Sequence, residues 1–128
     1  MQLINPATIA KPASNYAQGV VHKLTGQRLL ISGQVGVAPD GEIVEGLEGQ
    51  MERAWTNLFG VLLAAGFTKQ HLAKITIFVT LPGQAAVFRA MRDLMLDGHV
   101  CASTYLEVAG LAHPAFLVEI EAEAVKEA

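Results

Sequence analysis

Phe116 to Val125 reads FLVEIEAEAV. Phe116, Val118, Ile120, Ala122 and Ala124 fall on one side of an extended chain, and Leu117, Glu119, Glu121 and Glu123 fall on the other. A strict period of two is the signature of a strand with one apolar face, and that face requires a packing layer. Along such a strand the carboxylates recur every ~7 Å. The acidic face is either an ordinary solvated sheet surface or, where one carboxylate meets a cleft, a place to orient a water or act as general base. Spacing alone leaves both readings open.

Working outward, the packing layer is supplied by two helices. In Leu47 to Ala65 the residues Leu47, Met51, Ala54, Leu58, Val61, Leu62 and Ala65 recur at three- and four-residue spacing and form one apolar stripe. Glu45, Glu48 and Glu52 crowd its start, where the helix dipole favours negative charge, and Gly66 sits where a C-terminal cap belongs. Gln84 to Leu96 is the second helix, with Val87, Ala90, Met91 and Leu94 as its buried stripe and Arg89, Arg92 and Asp93 off it. Between them Ala73 to Leu81 (AKITIFVTL) is a strand, with Ile75, Ile77 and Val79 pointing one way and Thr76, Phe78 and Thr80 the other.

Gly19 to Leu24 and Arg28 to Ser32 are β-rich runs, with Thr25-Gly26-Gln27 as a hairpin turn between them. Residues 1–15 read as irregular, Gly41 to Val44 as a short extended piece, and Ser103 to Ala109 as a strand. The resulting order is β-β-(β)-α-β-α-β-β. It predicts an α+β domain spanning 1–128: a mixed sheet of about six strands with two helices on one face.

Hydrophobic residues make up 52% of the chain and charged residues 16%, against about 25% charged in an average domain. Either small core residues inflate the apolar count or apolar surface is buried between subunits. The net charge of −3, with Lys and Arg scattered singly, argues against a nucleic-acid partner, which demands a basic stripe. The N-terminal residues lack a signal-peptide pattern, and the longest apolar run, Leu58 to Phe67, is too short to span a bilayer. The expectation is a soluble, cytoplasmic protein with no membrane partner.

Few residues form motifs of chemistry. His22, His71, His99 and His113 lack ligand spacing and Cys101 is the only cysteine, so neither a metal site nor a disulfide is expected. Cys101 has no adjacent cationic cluster that would mark a nucleophile. Gly33 and Gly36 precede a turn and fit no dinucleotide fingerprint. Gly33 is better suited to exposing its N–H to an anion near a pocket. Tyr16, just before the first β-rich run, is either a packing aromatic or a pocket wall.

Taken together, Tyr16-x-Gln18-Gly19, Ile31-Ser32-Gly33-Gln34, Asn57 to Gly66 (NLFGVLLAAG), Ile75 to Val79, Leu106 to Leu111 (LEVAGL) and Val118 to Val125 (VEIEAEAV) resemble the Rid family, the RidA/YjgF-like reactive-intermediate deaminases. The resemblance runs over nearly the whole chain. It implies a chorismate-mutase-like fold assembled as a homotrimer, with the sheets forming a central barrel and the pockets between subunits. Members with the full site hydrolyse enamines and imines to a keto acid and ammonia without cofactor or metal. Glu119 matches the glutamate that positions the attacking water, Gly33 a glycine whose N–H meets the substrate carboxylate, Tyr16 and Ser32 pocket residues, and Tyr105 a position whose backbone carbonyl helps hold the water.

One departure stands out. The active deaminases carry a carboxylate-clamping arginine four residues before the glutamate of their E-V-A motif. Here that glutamate is Glu107 and the position is Ser103. A serine gives one neutral hydrogen bond where a guanidinium gives a charged pair, a loss of roughly 1.5–3 kcal/mol. Arg89, Arg92 and His99 are the cations that could replace it, and the sequence does not place them. The resemblance therefore implies turnover of an enamine or imine. The alternative is a non-catalytic metabolite-binding or regulatory protein using the same cleft. A ribonuclease role, also reported in this family, fits poorly with an acidic surface.

Overall fold

The computed structural model describes residues 1–128. Six strands and two helices run in the order β1 (Gln2–Ile4), β2 (Gly19–Val21), β3 (Gly26–Val35), α1 (Leu47–Ala64), β4 (Leu72–Val79), α2 (Ala85–Leu96), β5 (Ala102–Glu107) and β6 (Val118–Glu127), with one 3₁₀ turn at Lys69–His71. The strands form two sheets, not one. β3, β6, β4 and β5 make a four-stranded mixed sheet in that order, and β1 pairs with β2 alone. Only β4 and β5 are parallel, joined by the α2 crossover. The α+β class with both helices against a mixed sheet agrees with expectation, whereas the single six-stranded sheet does not.

The alternation in β6 is realised along its length. Val118, Ile120, Ala122 and Ala124 are buried, and they meet Ile75, Ile77 and Val79 of β4, each 0% exposed. Above them α1 buries Met51, Ala54, Trp55, Leu58 and Leu62. The end of α1 is a Schellman motif. Gly66 has φ 76°, its N–H donates to Leu63 O, and the Phe67 N–H donates to Leu62 O. Phe67 is thereby turned back into the core.

Two local expectations are corrected. Thr25-Gly26-Gln27 is not a hairpin turn: Gly26 and Gln27 already belong to β3, opposite Glu127 and Lys126 of β6. A ten-residue partner strand outcompetes the three residues of β2, which pair instead with the N-terminal Gln2–Ile4. That short, exposed N-terminal strand carries no alternation for a sequence reading to detect. In α2 the buried line is Phe88, Arg92 and Leu96. Of the predicted stripe, Val87 and Met91 are half-buried and pack against the core, whereas Ala90 and Leu94 face outward, Leu94 73% exposed. Both lines have helical spacing. A guanidinium lies on the one that packs, so apolar periodicity selected the other.

One buried polar side chain fixes the approach to β6. Gln50 of α1 is 2% exposed. Its Nε2 donates to Ala115 O at 2.9 Å, and its Oε1 accepts from the Leu117 N–H at 2.8 Å. Gly36 packs so closely that a Cβ there would lie 2.5 Å from the Gln50 Cβ. Gln50→Leu removes the side-chain partners of the half-buried Leu117 N–H and the Ala115 carbonyl, so it should lower stability by about 0.5–1.5 kcal/mol per bond. Thermal melts at fixed protein concentration check this. A melting temperature equal to that of the wild type would show that the Gln50 bonds contribute nothing net.

Candidate functional site

The six residues singled out in the sequence divide into two groups. Paired residues on neighbouring strands point to the same face of a sheet. Tyr105 pairs with Ile77, and Ile77 with Ile120, which places Tyr105 on the face covered by the helices. Ser103, paired with Ile75, lies there too. Glu119 pairs with Phe78, which pairs with Leu106, and so stands on the opposite, uncovered face.

On that open face the ladder between β3 and β6 is interrupted. Ile31 pairs with Ala122 and Gln34 with Ile120, leaving Ser32 and Gly33 together opposite the one residue Glu121. Such a bulge bends the strand and re-aims its groups. Ser32 is exposed. Gly33 lies against the Glu119 carboxyl so tightly that a Cβ on it would come within 2.6 Å of Glu119 Cδ and Oε2. The neighbouring acid Glu123 is held by Arg28 at 2.8 Å, whereas none of the ion pairs involves Glu119. The three acids of β6 thus have distinct surroundings although they share one face.

On the helix side, Tyr16, Ser103 and Tyr105 line one cleft of about 220 Å³ together with Phe88, Arg89 and Arg92 of α2. Tyr16 reaches it because the Ala17 N–H donates to Cys101 O at 2.9 Å, tying the loop before β2 to the start of β5. The Tyr105 ring stacks on Phe88 with centroids 5.7 Å apart. Its hydroxyl donates to Glu107 Oε2 at 2.7 Å, and the same oxygen accepts from the backbone N–H groups of Gly83 and Gln84 at the head of α2. Burial, reinforced by Glu107, pushes the Tyr105 hydroxyl up to about 12. The tyrosine bond and the two amides hold the Glu107 carboxyl below its usual value. Tyr105 OH is therefore a committed donor that keeps β5 and α2 in register, not a base.

Arg89 and Arg92 are the site residues that sequence reasoning did not place. The signal was present as the i, i+4, i+8 line Phe88-Arg92-Leu96. His99, the third cation considered, is engaged elsewhere, its Nε2 2.7 Å from Leu72 O. The other histidines also bond locally: His22 to Lys23 O, His71 to the Thr68 N–H and His113 to the Ala115 N–H. No three His, Cys, Asp or Glu side chains gather into a metal-binding group, and no helix is long and apolar enough to cross a membrane.

Cys101, just before β5, is 2% exposed. Burial pushes its thiol up to about 11, against the opposing pull of Arg92 and Lys74. A raised value means less thiolate, roughly one part in a thousand at pH 8. Native protein should therefore react with a disulfide reagent at pH 8 many times more slowly than denatured protein. Stoichiometric labelling of the native chain within minutes would contradict this environment.

Known proteins share this fold. A family model described as Endoribonuclease L-PSP matches residues 7–126. A RutC family protein of Aquifex aeolicus is 36% identical over 70 residues, and that match spans about half of each chain (54%). TdcF of Escherichia coli K12, which carries the name reactive intermediate deaminase, is 32% identical over 119 residues, 88% of either chain. Among solved structures, the Rid family protein YyfB of Yersinia pestis superposes with a TM-score of 0.87 at 32% identity, covering 98% of both chains. With that family model matched over residues 7–126 and TdcF aligned over 88% of either chain, this protein belongs to the Rid/YjgF family.

Proposed function

We propose that the protein hydrolyses a reactive enamine or imine to a carbonyl compound and ammonia, at a site completed between subunits of a homotrimer. The observation that carries this reading is the Glu119 carboxylate set against the Gly33 backbone and free of any cation, on a face that nothing within the chain covers. In the reaction, an enamine first takes a proton at carbon to become the iminium. Glu119 accepts a proton from a water whose oxygen bonds to the C=N carbon, and the π pair moves to nitrogen. Nitrogen then takes a proton, the C–N bond breaks, ammonia leaves, and the carbonyl forms with return of the remaining proton to solvent. Water is the only co-reactant.

Two features support completion by a second subunit. Glu119 with Gly33, and Tyr16 with Ser103 and Tyr105, occupy opposite faces of one sheet, so a single chain does not surround a substrate with both groups. The open face also carries uncovered apolar side chains, including Leu30 at 64% and Leu106 at 43% exposure, on the two edge strands β3 and β5. Light scattering coupled to size exclusion should give three times the chain mass of 13.6 kDa. A monomeric mass would remove the composite site.

The reaction is tested by generating imines with an amino-acid oxidase and following ammonia release. Wild type should accelerate release, and Glu119→Gln should lose about 10²- to 10⁴-fold, the usual contribution of a positioned acid–base group. Gly33→Ala should fold, because Gly33 has no positive φ, yet be slowed because the new Cβ displaces the Glu119 carboxyl. Full activity in Glu119→Gln would refute the assigned role. No acceleration across a varied imine panel would leave the cleft as a binding site without turnover.

A further inference from the structure

A groove of about 440 Å³ runs between α1 and α2 on the outer side of the helix layer. Half-buried Val87 and Met91 form its floor, exposed Ala86, Ala90 and Leu94 its α2 wall, and Glu48 its α1 wall. Glu48 is the one polar residue among these six, so the groove lacks the convergent polar groups that orient a small metabolite. Its rim is acidic. Glu52 lies one turn along α1 from Glu48, and Asp97 caps α2 one turn beyond Leu94. All three acids are exposed, and none of them enters an ion pair. The cations of the two helices are used elsewhere. Arg53 donates to Asn57, and Arg89 and Arg92 line the cleft with Tyr16 on the other flank of α2. Lys69, which follows α1, covers Phe59 in the second half of that helix.

We propose that this groove docks an amphipathic helix of a partner protein, with apolar side chains on the groove floor and Lys or Arg along both flanks. The α2 wall from Ala86 to Leu94 is ~12 Å long at 1.5 Å per residue. Apolar anchors at i, i+4 and i+7 of a docked helix span nearly the same length. The Met91 thioether chain can adjust to anchors of different shape. Charge complementarity selects the occupant: cations on the partner's flanks meet Glu48, Glu52 and Asp97. A second copy docking groove to groove would set these same acids against one another. The headgroups of an anionic membrane would be repelled by them.

The probe is a synthetic helix with leucine at every third and fourth position and lysine on its flanks, stapled on its outer face so that folding does not limit binding. Its fluorescence anisotropy on the full-length protein is compared with that of a scrambled peptide and of one with glutamate flanks. The lysine helix should bind, more weakly as salt rises, and methyl NMR should place the shifts on Val87, Met91 and Leu94. Leu94→Gln, at a position 73% exposed and so harmless to the fold, should weaken it at least about fivefold, as should Glu48→Lys with Glu52→Lys. Leu24→Gln, at an exposed leucine outside the groove, should leave binding unchanged. No binding of the lysine helix, equal binding of the scrambled or glutamate peptide, or full binding by Leu94→Gln would overturn the proposal. So would binding of the protein to phosphatidylglycerol vesicles that Leu94→Gln abolishes. A mass by light scattering that falls with Leu94→Gln would show instead that a second copy fills the groove, and would overturn it too.

Discussion

The whole arrangement depends on β6 lying between β3 and β4. The last strand in sequence is a central strand in space, paired from Gly26–Glu127 to Val35–Glu119 on one side and from Leu72–Ala124 to Val79–Val118 on the other. Its inner residues Val118, Ile120, Ala122 and Ala124 are the floor on which α1 packs. Both ladders join segments far apart in sequence, so chain entropy is surrendered before either ladder repays it. The alternation in VEIEAEAV therefore does more than mark a strand. A slip of one residue would turn three glutamates into the core and four apolar side chains out of it, so the register is strongly specified, and with it the position of Glu119.

The same register explains why the bulge at Ser32–Gly33 can matter to chemistry. A bulge in a loosely specified edge would wander. Here it is bracketed by the Ile31–Ala122 and Gln34–Ile120 pairs, and Asn57 of α1 donates to both Val35 O and Val37 O just beyond it. Arg53 in turn donates twice to Asn57 Oδ1. The backbone of Gly33 is thus held from the sheet and from the helix, and the contact with Glu119 is a property of the fold rather than of one flexible side chain.

Long periodic segments were legible in the sequence and short or polar ones were not. α1, β4 and β6 lie close to where their apolar periods put them, because each buries a continuous face and the period is the signature of that burial. β1 escaped notice because three exposed residues carry no period. The turn at Thr25-Gly26-Gln27 misled because turn residues say that a chain can reverse, not which strand it will pair with. The α2 face was assigned to Val87, Ala90, Met91 and Leu94 since Arg92 looked like a solvent residue, yet Phe88, Arg92 and Leu96 are the ones that pack. Of the site, the six residues Tyr16, Ser32, Gly33, Ser103, Tyr105 and Glu119 followed as one pocket from the family resemblance that the motifs carry. That the two groups occupy opposite faces did not, because facing depends on strand pairing that no single stretch encodes.

The two halves of the site differ in how they are held, and this bears on which half can change within one fold. Glu119 sits on the central strand β6, where any shift breaks ladders on both sides, and Gly33 on the β3 bulge opposite it. Tyr16 hangs on a loop joined to β5 by a lone bridge at Ala17–Ala102. Ser103 and Tyr105 belong to the edge strand β5, and Arg89 and Arg92 to the crossover helix α2. Edge strand, loop and crossover helix can exchange side chains without disturbing the β6 register, whereas the Gly33–Glu119 contact cannot.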